Sequence, residues 1–132
     1  MKFVDTSFWF SLQDRRDRRH EEAAALAARA GRDRLLTSNH VVGETWTTIR
    51  RRRGHAAAVG FLVRLEALSN VEVSFADRAV EAAAWTWLRR HYERDYSFVD
   101  ATSFELMRRR RVREALAFDG NFTAAGFVEL RP

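Results

Sequence analysis

Short apolar runs alternate with longer amphipathic segments along the whole chain. The runs typical of strands are 3–4, 35–37, 71–75, 115–118 and 127–130. Apolar positions at helical spacing predict helices over 8–12, 20–30, 39–53, 59–68, 76–90 and 97–111. Strands that alternate with helices imply βαβ units. The pattern therefore predicts an α/β fold with a mostly parallel sheet of five strands.

Polar residues mark where the predicted helices begin and end. Thr6 or Ser7 is expected to cap the first helix, and Ser38 or Asn39 the third. Gly31 stands at the usual C-terminal position of the second helix. The charged segment 14–19 is predicted to be a solvated turn.

Length and composition favour one compact domain, residues 1–132, because 46% of the residues are hydrophobic. Cysteine is absent, which suits a reducing cytosol and excludes thiol chemistry and cysteine-ligated zinc. The longest uncharged run, 54–63, is far shorter than the roughly 18 residues that a membrane span needs. The first residues leave no room for a signal peptide. We therefore expect a soluble, cytoplasmic protein.

The charge balance points to a polyanionic partner. The formal net charge is +5, and all of the 23 basic residues except Lys2 are arginine. Arginine suits phosphate because its planar guanidinium donates two parallel hydrogen bonds. The runs 50–53 and 108–111 end helices, where cations also stabilise the helix dipole. Nucleic acid is the expected partner, and arginines that merely solvate helix faces are the alternative.

Two aspartates share one sequence context. Asp5 and Asp119 each follow a short apolar strand directly, so parallel pairing would place both carboxylates at the same edge of the sheet. Each also has a purely structural interpretation. Asp5 is suited to cap a helix, and Asp119-Gly120 is a favourable turn dipeptide.

Two further acids are candidates for the same site. Asp100 lies three residues after Ser97, which is the spacing of a capping box, and it also extends the apolar stripe of the following helix toward the core. Glu44 lies about 60° outside Val41 on a helical wheel, at the edge of its stripe. Periodicity alone leaves the position of Glu44 undecided.

If the four carboxylates meet, their repulsion constrains the chemistry. Two unit charges about 4 Å apart in a partly screened site repel by about 4 kcal/mol, and a divalent cation would offset this cost. Ligation by oxygen alone favours Mg²⁺ or Mn²⁺. In a basic protein such a metal indicates phosphodiester hydrolysis, with the metal activating water and neutralising charge on the scissile phosphate.

Four segments carry a family resemblance that spans essentially the whole chain. They resemble, in order, the acidic motifs of the PIN-domain ribonucleases, in particular the VapC-type toxins of bacterial toxin-antitoxin pairs. The segments are Met1–Ser7, Val42-Gly43-Glu44, Asp95–Phe104 and Ala115–Phe122.

The resemblance implies a three-layer α/β/α sandwich with a parallel five-stranded sheet that cleaves RNA with Mg²⁺ or Mn²⁺. It implies a homodimer held inactive by a cognate antitoxin, whose C-terminal segment lies in a groove beside the acids. Thr6 or Ser7 would supply a hydroxyl that assists water or metal. The residues it implies as metal ligands are Asp5, Glu44, Asp100 and Asp119.

The chain departs from the family pattern at two places. Gly120-Asn121 stands where members often carry charged residues, which makes the geometry at Asp119 the least defined. Arginines 108–111 lead into Val112 without the glycine often present there.

Two other classes of protein are alternatives. A non-catalytic basic module that binds nucleic acid or protein would use the acids only as caps and turns. A phosphotransferase would use Asp5 as its nucleophile. The second class fits poorly, because the acid expected two residues later is Ser7 and the only lysine precedes Asp5.

Overall fold

The five predicted strands form one sheet in which every neighbouring pair is parallel. The computed structural model describes all of residues 1–132. The spatial order is β3-β2-β1-β4-β5, which places β1 at the centre. The strands are β1 Lys2–Val4, β2 Leu35–Ser38, β3 Val71–Ser74, β4 Glu114–Leu116 and β5 Val128–Glu129. The predicted α/β fold with a parallel five-stranded sheet is confirmed.

Helices cover both faces of this sheet. Phe3 and Val4 point to opposite faces because they are consecutive in a strand, and both are fully buried. The apolar character of β1 on both sides therefore follows from its central place. The helices are α1 Thr6–Gln13, α2 His20–Ala30, α3 Asn39–Arg53, α4 His55–Glu66, α5 Arg78–Arg90, α6 Phe98–Arg110 and α7 Asn121–Ala124.

An aromatic cluster fixes α6 and α7 against the sheet. The Phe104 ring of α6 lies 5.0 Å from Phe122 of α7 and 5.2 Å from Trp87 of α5. Phe122 lies in turn 6.0 Å from Phe3 of the central strand. Phe104 and Phe122 are both fully buried. This packing sets the position of Asp100, which lies one helical turn before Phe104.

Two predictions about the first third of the chain are wrong. The first helix is capped by Asp5, whose side chain accepts a hydrogen bond from the Ser7 amide, and Thr6 is already helical. An aspartate before the first helical residue is as good a cap as serine or threonine. The turn at 14–19 is not fully solvated, because Asp14 is buried and accepts two hydrogen bonds from Arg53.

Several predicted boundaries also move. β4 ends at Leu116 rather than at residue 118, and α7 was not predicted at all. α4 ends at Glu66, before the predicted Leu68. β3 ends at Ser74, and α5 begins at Arg78 because Asp77 caps it.

The end of α6 shows how the chain manages without a glycine. Arg111 takes up the left-handed conformation itself, with φ 56°, and Val112 then donates its amide to the Met107 carbonyl. A left-handed residue other than glycine costs roughly 1 kcal/mol or more. None of the seven helices is long and apolar enough to cross a bilayer.

Candidate functional site

Asp5 lies at the carboxyl end of the central strand, and Ser7 holds its side chain. Asp5 Oδ2 accepts hydrogen bonds from the Ser7 amide at 3.2 Å and the Ser7 hydroxyl at 2.8 Å. The same hydroxyl accepts the amide of Phe118, 3.0 Å away, just beyond β4. Only 3% of Asp5 is exposed. Ser7 therefore joins the ends of β1 and β4 and orients Asp5 between them.

Asp100 stands at the start of α6 in a complete capping box. Its Oδ2 accepts the Ser97 amide at 3.0 Å, and its own amide donates to Ser97 Oγ at 3.0 Å. The same Oδ2 also accepts a hydrogen bond from Asn121 Nδ2 at 3.0 Å. The capping role and the inward direction predicted for Asp100 are both observed, since the residue is buried.

Asn121 connects the remaining pieces of this edge. Its amide donates to Asp119 Oδ1 at 3.0 Å, and its side-chain Oδ1 accepts from Arg94 Nε at 3.0 Å. Gly120, between the two residues, has φ 81°, which reverses the chain into α7. Sequence reasoning noticed Asn121 only as a departure from the family pattern. Its bonds to Asp100 depend on tertiary placement, which no local signal reveals.

Glu44 reaches the site from the exposed side of α3. The buried face of that helix carries Val41, Thr45 and Ile49. Glu44 lies outside this face, as its place at the edge of the apolar stripe allowed, and it is exposed to solvent. The Glu44 side chain therefore lies at the solvent-exposed border of the site and does not pack in the core.

The six predicted site residues border one cavity of about 500 Å³ at the carboxyl ends of β1 and β4. The lining is mostly polar and charged, with only two hydrophobic side chains among its residues. The predicted residues that line it are Asp5, Thr6, Ser7, Glu44, Asp100 and Asp119. Sequence reasoning did not assign Asn121, Asp17, Asp95, Arg18, Arg19 and Arg52 to this cavity, yet they also line it.

The carboxylates perturb one another. Burial first, and then the charge of Asp119, raise the pKa of Asp5 to about 7. Loss of hydration raises the pKa of Glu44 and of Asp119, and the charge of Asp100 adds to both. Burial also raises the pKa of Asp100, against the hydrogen bonds from Ser97 and Asn121 that lower it. Asp5, Glu44 and Asp119 therefore each have a raised pKa in part because another of these carboxylates lies nearby.

The donor set fits a hard divalent cation. Four carboxylates in a water-filled cavity provide only oxygen ligands, and Mg²⁺ and Mn²⁺ prefer such sets. Thr6 Oγ1 is buried beside them without a hydrogen-bond partner, although its nearness to Glu44 offsets part of that carboxyl's pKa rise. A buried hydroxyl without a partner is costly, and a water or ion in the cavity would satisfy it.

The ligands are not assembled in advance. No three acidic or histidine side chains of the chain are placed to hold one ion together. Asp5, Asp100 and Asp119 are instead each engaged in hydrogen bonds to neighbouring residues. Ion binding would have to draw the carboxylates together against their mutual repulsion.

Comparison with known proteins agrees with the topology. A family model described as the PIN domain matches residues 2–128. The chain belongs to the PIN-domain family. The resemblance in the four acidic segments is therefore confirmed as a family relationship.

Two curated sequences and one crystal structure match this chain over its full length. The curated proteins named 23S rRNA-specific endonuclease VapC20, from two strains of Mycobacterium tuberculosis, are 54% identical over 133 residues, covering 100% of this chain and 99% of theirs. The crystal structure of M. tuberculosis VapC20, titled a sarcin-ricin loop cleaving toxin, superposes with a TM-score of 0.93 at 52% identity over 100% of both chains. This PIN domain is therefore similar to VapC-type proteins in sequence and in fold.

Proposed function

We propose that this PIN-domain protein is a metal-dependent endoribonuclease and the toxin of a toxin-antitoxin pair. One observation carries the proposal: four carboxylates and an unpartnered buried hydroxyl line one cavity with arginines at its mouth. The VapC20 relatives, similar from end to end, are named for cleavage of 23S rRNA. We therefore take RNA, and a ribosomal RNA loop first, as the substrate class.

In this proposal Asp5, Glu44, Asp100 and Asp119 hold Mg²⁺ or Mn²⁺ and position the attacking water. The ion, when bound, supplies charge neutralisation at the scissile phosphate and makes water more acidic. The Thr6 hydroxyl, free of other partners, is placed to orient a water or the ion. Ser7 has a different role, because its hydroxyl is occupied in fixing Asp5 to the end of β4.

The partners follow from the same family relationship. We propose a cytoplasmic protein in which residues 1–132 act as a single nuclease domain. We also propose that it forms a homodimer and that a cognate antitoxin inhibits it. The antitoxin would occupy the groove beside the acids and so exclude RNA.

Cleavage of RNA by purified protein and its variants tests this function. Wild-type protein with Mg²⁺ or Mn²⁺ is expected to cleave 23S rRNA and to leave a 5′-phosphate and a 3′-hydroxyl, which are the ends formed when water attacks phosphorus and the 3′-oxygen leaves. Asp5→Asn and Asp100→Asn should each lower the rate at least about 100-fold, which removal of a key electrostatic group typically costs. Asp33→Asn is the matched control, because Asp33 is exposed and pairs with Lys2 away from the cavity.

Three results would contradict the proposal. Cleavage that survives both Asp5→Asn and Asp100→Asn would place the chemistry elsewhere. Ends carrying a 2′,3′-cyclic phosphate would show attack by the ribose hydroxyl instead of water. RNA binding without any cleavage by wild-type protein would favour the non-catalytic binding module.

A further inference from the structure

Two groups of arginines have different surroundings, although the sequence does not separate them. At the C-terminus of α6, Arg108 and Arg109 pair with Glu105, and Arg110 pairs with Glu72 through two hydrogen bonds. Arg110 also contacts Met1. Arg108, Arg109 and Arg110 therefore lie at the amino ends of the strands, the edge opposite the acids, and each has a carboxylate partner.

The second group lies at the mouth of the acidic cavity and is free. Arg18, Arg19 and Arg52 all line the cavity. Arg18 and Arg52 form no salt bridge, and Arg19 has only a 3.6 Å contact with Glu22 in its own helix region. Three guanidinium groups therefore face the same opening without a committed carboxylate partner.

Aromatic rings support two of these guanidinium groups. Arg52 lies 4.8 Å from the centre of the Phe10 ring, and Arg19 lies 5.1 Å from that of Phe118. A guanidinium that rests on a ring is held by its face, so the N–H groups at its edge stay free to donate. Phe10 and Phe118 are themselves buried, which gives the arginines a rigid base.

The helix spacing places Arg52 beyond the acids. Glu44, Thr48 and Arg52 follow one another at intervals of four residues on α3, and all three line the cavity. Eight residues of helix span about 12 Å. Arg52 is therefore too far along α3 to share the group that Glu44 contacts, whereas it can reach a neighbouring phosphate of the same strand.

We propose that Arg18, Arg19 and Arg52 form a phosphate-binding rim that holds the RNA backbone on either side of the scissile bond. The proposal rests on the endoribonuclease function and adds the residues that bind its substrate. The rim also explains how a polyanion can approach four carboxylates, because its three positive charges line the same cavity and offset part of the negative charge. Arg108, Arg109 and Arg110, which also form a run of arginines at a helix end, lie at the opposite edge and are not part of this rim.

Binding of a labelled RNA hairpin that carries the sarcin-ricin loop sequence tests the rim. Fluorescence anisotropy is measured from about 50 to 300 mM salt in an Asp5→Asn background, so that binding is read without cleavage. The triple variant Arg18→Ala, Arg19→Ala, Arg52→Ala should lower the slope of log affinity against log salt by about 2 to 3, and affinity about 100-fold at 0.1 M salt.

The chain offers a matched control for these substitutions. Arg15 and Arg51 are exposed, form no salt bridge, and neighbour the rim residues in the same turn and helix, but do not line the acidic cavity. The control variant Arg15→Ala, Arg51→Ala, Arg109→Ala removes the same number of positive charges. Its slope of log affinity against log salt should change by less than about 1. Equal losses in the two triple variants would overturn the rim, because only diffuse charge would then matter, and an unchanged slope in the rim variant would overturn it as well.

A kinetic measurement separates this proposal from the function on which it rests. In the otherwise wild-type protein, the rim substitutions should raise KM while kcat stays within a few-fold, because the rim holds flanking phosphates. A fall in kcat with unchanged KM would overturn the rim but leave the nuclease intact. Absence of cleavage in the wild type would instead contradict the proposed function, and the binding result would still decide the rim.

Discussion

The side-chain amide of Asn121 bridges Asp100 and Arg94. It donates to Asp100 Oδ2 and accepts from Arg94 Nε, each over 3.0 Å. Through this bridge an exposed arginine, on the segment before α6, stabilises the position of a buried carboxylate. The Arg94 charge also lowers the pKa of Asp100 against the effect of burial. Asn121 is therefore expected to govern how readily Asp100 joins the other acids.

Substitutions of Asn121 should show how strongly the negative charge of the site destabilises the folded protein. Asn121→Ala removes two side-chain hydrogen bonds, one to Asp100 and one from Arg94, and should cost about 1 to 2 kcal/mol of stability. Asn121→Asp places another negative charge against Asp100 and should cost more in chelator, whereas Mg²⁺ should reduce the difference between the two variants because it neutralises that charge. Urea denaturation with EDTA and with Mg²⁺ measures both effects. A difference that metal leaves unchanged would contradict the prediction.

Stability without metal should fall as pH rises. The pKa of Asp5 is raised to about 7, so between about pH 4 and 7 the folded protein retains a proton that the unfolded chain has lost. This favours the folded state at low pH, and up to about 4 kcal/mol is lost progressively between about pH 4 and pH 7. The pKa values of Glu44, Asp100 and Asp119 are raised as well and act in the same direction.

Asp5→Asn isolates this contribution because asparagine cannot ionise. In EDTA the stability of the variant relative to wild type should rise by about 3 kcal/mol between pH 5 and pH 8, by chemical denaturation. Titrating groups that do not interact with Asp5 are common to both proteins and cancel in the difference, whereas Asp119 and Asp100 contribute to it because their charges act on Asp5. A stability difference that does not change between pH 5 and 8 would show that Asp5 titrates normally.

The capping box at α6 should contribute to stability and to activity together. Ser97→Ala removes the hydroxyl that accepts the Asp100 amide, which typically costs about 1 kcal/mol. Asp100 would then be held less firmly in its orientation. The rate of RNA cleavage should therefore fall by more than the loss of folded protein explains. Ser69→Ala is the control, since Ser69 is exposed and forms no side-chain hydrogen bond. Full activity in Ser97→Ala would show that the box does not position Asp100.

The ion pair between Asp14 and Arg53 should be a stabilising contact outside the acidic cavity. Arg53 donates to Asp14 Oδ2 through Nε at 3.0 Å and Nη2 at 2.8 Å, which lowers the pKa of that carboxyl. Arg53→Ala leaves the buried Asp14 unpaired and should cost about 1 to 3 kcal/mol. Arg51→Ala, on the same turn, should stay within about 0.5 kcal/mol. If Arg53→Ala and Arg51→Ala lost the same stability in urea denaturation, the Asp14–Arg53 contact would contribute no more than an exposed ion pair.

The parts of the fold with strong local signals were predictable from sequence. The second helix matches its predicted bounds because Gly31, with φ 54°, ends it and the periodic alanines precede it. The sheet followed from the alternation of strands and helices. α7 was missed because four residues are too few for a periodic pattern, and β4 was drawn too long because Ala117 and Phe118 stay buried after the strand ends.

The candidate site was predictable in its residues but not in its details. Asp5 and Asp119 follow strands that turn out to be neighbours, so their meeting was implied by parallel pairing. Glu44 could not be decided from a helical wheel, because it faces a cavity and not the core. The roles of Asn121 and Arg52 depend on which distant elements pack together, and only the tertiary structure provides that.

Anomalous diffraction from crystals soaked in Mn²⁺ tests most directly whether these acids share an ion. One strong peak is predicted inside the cavity, bonded to carboxylate oxygens of both Asp5 and Asp100, with Glu44 or Asp119 moved toward it. Crystals of Asp5→Asn should lack that peak under the same soak. A fully occupied peak elsewhere on the protein, or none in the cavity while the soaked protein still cleaves RNA, would contradict the account.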